Sequence, residues 1–225
     1  MTDKNVTIAK RYSTAEEIAN AITHGIGALL SVAALVLLVV KAAARAPEAA
    51  KPSYIVGFAV FGATLIILYA VSTLYHALTA HRAKRVFGVL DHSSIYLLIA
   101  GTYTAYCLTA LHGALGWSLF GVIWAIAATG IVFYAIFGSR IRRLSAITYL
   151  PMSLIIIFAG KPMKSNLRAL SGSDASWHLL LIGGAFYILG MVFYAMKKRE
   201  WTHSVWHLFV IAGSAFHFFS VYMSF

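Results

Sequence analysis

Seven apolar runs, separated by short polar or basic stretches, set the rhythm of the sequence, at about 20–43, 54–80, 87–110, 112–138, 145–160, 176–196 and 203–225. A helix needs ~20 mostly apolar residues to cross a ~30 Å hydrocarbon core. The pattern therefore predicts an all-α, polytopic membrane protein, a seven-transmembrane-helix bundle over residues 20–225 with no room for a second folded domain. The fifth run is the weakest, being short and carrying Pro151 near its start. A proline is tolerated in a membrane when neighbouring helices satisfy the backbone groups it frees; a fifth run that failed to cross would make the count six. Residues 1–19 are mostly polar and predict a cytoplasmic amphipathic segment. Within it Ser13 and Glu16 have the S-x-x-E spacing of a capping box, which predicts a short interfacial helix running into the first span. The first apolar run is long enough to stay in the bilayer, unlike the short core of a cleavable signal peptide.

Charge gives the bundle a direction. Lys4, Lys10, Arg11, Arg82, Lys84, Arg85, Arg140, Arg142, Arg143, Lys197, Lys198 and Arg199 fall on one side of the predicted membrane, and Lys41, Arg45, Lys51, Lys161, Lys164 and Arg168 on the other. The positive-inside rule then puts the N-terminus in the cytoplasm and the C-terminus outside, which requires an odd number of spans. Composition agrees: 60% of the 225 residues are hydrophobic and 11% charged, against about 45–50% and about 25% in soluble domains. The net charge of +11 is no sign of nucleic acid, because the basic residues sit in short clusters between apolar runs rather than on one continuous face. The lone Cys107 excludes an internal disulfide and an all-thiolate zinc site.

Ionisable residues inside spans are costly and mark candidate sites. Alternating the direction of the spans brings His76 (end of the second), Asp91 (start of the third), and His203 and His207 (start of the seventh) to one depth on the cytoplasmic side. His203 and His207 are i, i+4 and share a helix face. Three imidazoles with a water in the fourth position make a catalytic type of zinc site, although imidazole also suits other transition metals. Asp91 could hold that water or orient a ligand, and Ser72, one turn deeper than His76, could hydrogen-bond the water or a substrate oxygen. Blander roles stay open: interfacial anchors for the histidines, and a charge complementing a helix N-terminus for Asp91. The stripe Glu17, Asn20, His24 reads more readily as a packing seam than as support for the site. His217 lies roughly 15 Å deeper than His207, too far to share an ion.

The segments Ser72-Thr-Leu-Tyr-His76, Asp91 and His203-Ser-Val-Trp-His207, trailed by Ala212-Gly213 and His217-Phe218, resemble the signature of the progestin and adipoQ receptor superfamily. The run Glu16-Glu17-Ile-Ala-Asn20-Ala-Ile-Thr23-His24-x-x-Gly27 is similar to its bacterial, hemolysin III-like branch. The resemblance implies a seven-helix protein of a bacterial inner membrane, with zinc on His76, His203 and His207, Asp91 reaching the metal through water, and Ser72 beside it. The superfamily also takes in alkaline ceramidases, which hydrolyse lipid amides; the bacterial branch carries a cytolysin name and is linked to membrane-lipid homeostasis. The expectations are therefore a zinc-dependent hydrolase of membrane lipid amides or esters, a non-enzymatic membrane sensor with structural zinc, and, ranked last, a cytolysin. Membrane lipids are the expected partners.

Overall fold

The computed structural model describes residues 12–196 and 199–225, apart from the side chains of Ser139 and Arg142. Lys4, Lys10, Arg11, Lys197 and Lys198, used above for topology, lie outside these residues. The elements are α1 (Thr14–Arg45), α2 (Lys51–Ala77), α3 (His81–Cys107), α4 (Ala114–Phe137), α5 (Arg142–Leu154), α6 (Gly160–Ser171), α7 (Ala175–Ala195) and α8 (Thr202–Tyr222). A 3₁₀ stretch, Ile155–Ala159, joins α5 to α6, so that, the two taken as one, seven long helices stand among the described residues. Six helical stretches are long and apolar enough to cross a membrane, with α5–α6 counted once. The seventh helix is α3, 27 residues long, whose first turns carry His81, Arg82, Lys84 and Arg85.

The chain starts α1 where the capping box predicted. Ser13 Oγ accepts from the Glu16 backbone N–H at 3.2 Å, and Glu16 Oε2 accepts from the Ser13 N–H at 2.9 Å. The helix then runs unbroken to Arg45. Residues 14–19 are thus its opening turns, not a separate interfacial helix, because nothing after Glu16 interrupts the ladder.

The fifth span differs most from the reading of 145–160. Pro151 lacks an N–H and breaks the α-helical ladder, and the chain tightens into the 3₁₀ stretch four residues later. Tyr103 from α3 repairs the break: its hydroxyl accepts from the Ile156 N–H at 2.7 Å and donates to the Ser153 carbonyl at 2.8 Å. The helix continues through Lys161, Lys164 and Arg168, whose charge had suggested a loop. It is amphipathic there. Met163 and Leu167 are buried, Asn166 donates to the Ala110 carbonyl at 2.7 Å, and Lys164 and Arg168 face Asp174.

Helices adjacent in sequence pack together, and α1 closes the arrangement against α8. Small residues let the α1–α2 pair approach closely: a Cβ on Gly27 would meet the Tyr69 ring at 2.6 Å, and one on Gly62 would meet the Leu35 Cβ at 2.8 Å. Polar side chains tie the interior. The Tyr69 and Tyr187 hydroxyls each lie 2.7 Å from Ser214 Oγ, linking α2, α7 and α8. The result for function is that the start of α1, the end of α2 and the start of α8 converge at one end of the bundle.

Candidate metal centre

His76 sits in the last turn of α2, and His203 and His207 in the first turns of α8. Their ligand nitrogens all lie within 4.8 Å of one another. His203 Nε2 and His207 Nε2 are 3.1 Å apart. Two nitrogens each about 2.0–2.1 Å from a shared tetrahedral zinc would stand about 3.3 Å apart, so the spacing suits a common ion.

Hydrogen bonds on the far side of the rings aim the lone pairs. His76 Nδ1 is 2.6 Å from Glu17 Oε2, which holds the ring proton on Nδ1. His76 Nε2 is then a bare acceptor, buried and without a hydrogen-bond partner among the described residues. His207 Nδ1 faces Thr23 Oγ1 at 3.3 Å, while the Thr23 hydroxyl spends its own proton on the Ala19 carbonyl at 2.8 Å. The threonine oxygen must therefore accept from His207 Nδ1–H, which frees His207 Nε2 to act as a ligand. An imidazole whose distal N–H is held by a carboxylate or hydroxyl is the usual form of a metal-bound histidine.

Glu17, read from the sequence as part of a packing seam more readily than as support for the site, thus contacts one of the three histidines directly. Its second oxygen accepts from Lys84 Nζ at 2.6 Å, joining α1, α2 and α3. Glu16 and the rest of the stripe on α1 also meet the start of α8. Glu16 Oε1 accepts the Trp201 N–H at 2.9 Å, Asn20 Oδ1 accepts from the Ser204 hydroxyl at 2.6 Å, and the His24 ring stacks on His207 at 3.5 Å between centroids. Tyr12 closes the outer side, stacked on His203 at 4.8 Å and edge-on to His76 at 5.8 Å. The spacing of Glu17, Asn20 and His24 showed a shared face; their partners, more than 50 residues away, are set only by the fold.

Ser72 lies one turn deeper than His76, buried, with a hydroxyl that has no partner among the described residues. Asp91 lies on α3, outside the converging set, its carboxylate 3.8 Å from His92 Nδ1. His92 Nδ1 is 3.1 Å from the Gly88 carbonyl, and its Nε2 is 3.3 Å from the Tyr194 hydroxyl. His217 is apart from the cluster, 3.2 Å from the Leu180 carbonyl through Nε2.

Known proteins resemble the chain along most of its length. The family described as Haemolysin-III related matches residues 12–218. The chain is 44% identical over 206 residues to Hemolysin-3 of Bacillus cereus, covering 92% of this chain and 90% of that protein. It is 44% identical over 210 residues to the Hemolysin-3 homolog of Bacillus subtilis (strain 168), covering 93% and 94%. The human monocyte to macrophage differentiation factor is 25% identical over 169 residues, covering 72% of this chain and 68% of its own length.

Proposed function

The chain belongs to the Haemolysin-III related family, and from that premise we propose that it holds zinc at the cytoplasmic end of its bundle and hydrolyses an amide or ester bond of a membrane lipid. It is a multi-pass membrane protein, and the bacterial relatives favour an inner-membrane setting. The observation that carries the reading is the convergence of His76, His203 and His207 nitrogens within 4.8 Å, with His76 Nε2 buried and otherwise unpaired. Three imidazoles, two of them with the tautomer held by a partner, fit zinc better than a hard cation, which prefers oxygen. Zinc held there would supply Lewis acidity, polarising an acyl carbonyl and acidifying water. Around it, Ser72 donates its unused hydroxyl to a substrate oxygen. Glu17 and Thr23 keep the ligating rings in register.

The hydrolase reading predicts fatty-acid release when the purified, zinc-loaded chain is incubated with ceramides or phospholipids, with chelation or His203→Ala abolishing it. A second reading has its own support: the Tyr12 and His24 rings lie flat on two of the imidazoles, as a closed structural site would have them. Absence of turnover, with a drop in thermal stability on chelation, would select a membrane sensor in which zinc ties α2 to α8. A cytolytic role ranks behind both, because a toxin needs a water-soluble form and 60% hydrophobic residues disfavour one.

The cytoplasmic placement rests on the distribution of Lys and Arg. In a Cys107→Ser background, cysteine at Ala83 is expected to escape an impermeant thiol reagent in intact cells and to react in inverted vesicles. Labelling in intact cells would move the cluster to the outer face.

A further inference from the structure

The helix α7 packs on α8 and α6, while α5 packs on α3 and α4. Between α5 and α7 opens a groove of about 620 Å³, within the usual size of small-ligand sites. Its sides are apolar, with Ile147 from α5 and Met191 and Ala195 from α7, and its mouth carries Arg143 and Arg199. Arg143 lies in the first turn of α5, and Arg199 just beyond the end of α7. The walls therefore belong to apolar spans, and the two arginines stand at the ends of those helices. The two connecting segments, 138–143 and 197–200, hold six basic residues and one acid, Glu200.

We propose that this groove binds one anionic phospholipid, its phosphate held by Arg143 and Arg199 and an acyl chain laid along Ile147, Met191 and Ala195. An apolar trough open to the bilayer takes its occupant from the bilayer. The doubly basic mouth then selects among lipids by charge, and the planar fork of arginine matches phosphate oxygens in pairs. The groove also leads toward the histidines. Its lining residue Tyr194 is 3.3 Å from His92 Nε2 through the hydroxyl, and its ring is 6.3 Å from that of His203. If the bound lipid is the substrate, that role rests on the hydrolase reading above; the binding itself does not.

The test is native mass spectrometry of the full chain in neutral detergent, titrated with phosphatidylglycerol and phosphatidylcholine of identical acyl chains. One retained phosphatidylglycerol per chain is expected, preferred over phosphatidylcholine by about tenfold or more, the scale of two basic residues at an anionic lipid surface. The pair Arg143→Gln, Arg199→Gln should abolish the preference, and Arg82→Gln, Arg85→Gln, an equal loss of charge elsewhere, should leave it. Ala195→Trp, which fills the groove with both arginines intact, should reduce retention of either lipid. Equal retention of the two lipids by the parent chain, or equal loss in the two arginine pairs, would overturn the site. Because no turnover is measured, a failed hydrolase assay leaves the result intact.

Discussion

Replacing His207 with alanine is expected to strip the chain of metal. Loaded with zinc and desalted, the parent should keep about one ion per chain, and His207→Ala less than about a tenth of that. His207 is the hub of the cluster, 1% exposed, with Nε2 3.1 Å from His203 Nε2 and its ring centroid 5.1 Å from that of His76. Without it two imidazoles remain, on different helices, short of the three protein ligands that zinc takes in an open site. The change should not unfold the bundle by orphaning a buried group, since the Thr23 hydroxyl keeps its own bonds to the Ala19 and Asn20 carbonyls. It does leave a space beside His24, so His203→Ala, at a less buried position, is the companion variant. Both should elute as the parent does on gel filtration. Cobalt(II) in place of zinc gives a second readout, because a tetrahedral site should show visible absorption that both variants lose. Full metal retention by both would detach the cluster from metal binding altogether.

The cluster itself was legible in the sequence. Spans of ~20 residues that alternate in direction put the end of the second and the start of the seventh at one face, and the i, i+4 spacing of His203 and His207 did the rest. The capping box at Ser13 and Glu16 was legible for the same reason: it is local, and its chemistry is written within four residues. The fifth span was not. Its polar continuation through Lys161 and Arg168 is helical because Met163 and Leu167 are buried and Tyr103 bridges the break after Pro151, and these partners lie up to 60 residues away. The partners of Glu17 were not legible either, on similar grounds. Its spacing to Asn20 and His24 identified a face without saying what that face meets. A carboxylate against a histidine, with a lysine on its other oxygen, is a long-range arrangement with no short-range signature.

Glu17→Gln makes that arrangement testable. Glutamine keeps the shape and can still accept from His76 Nδ1–H, but it is neutral. Its weaker acceptor leaves His76 Nε2 less basic and its ring less firmly aimed. Loss of such a supporting partner typically costs about 10–100-fold in metal affinity, and zinc affinity measured by competition with a chelating dye should fall by that much. Lys84→Met separates this effect from helix tethering. It removes the ion pair that Glu17 makes to α3 at 2.6 Å but leaves the 2.6 Å contact to His76. If Glu17 serves the ligand, Glu17→Gln weakens zinc binding and Lys84→Met does not, whatever either does to the thermal stability of the metal-free chain. If Glu17 merely pins α1 to α3, both variants lose stability alike, and zinc affinity holds in each.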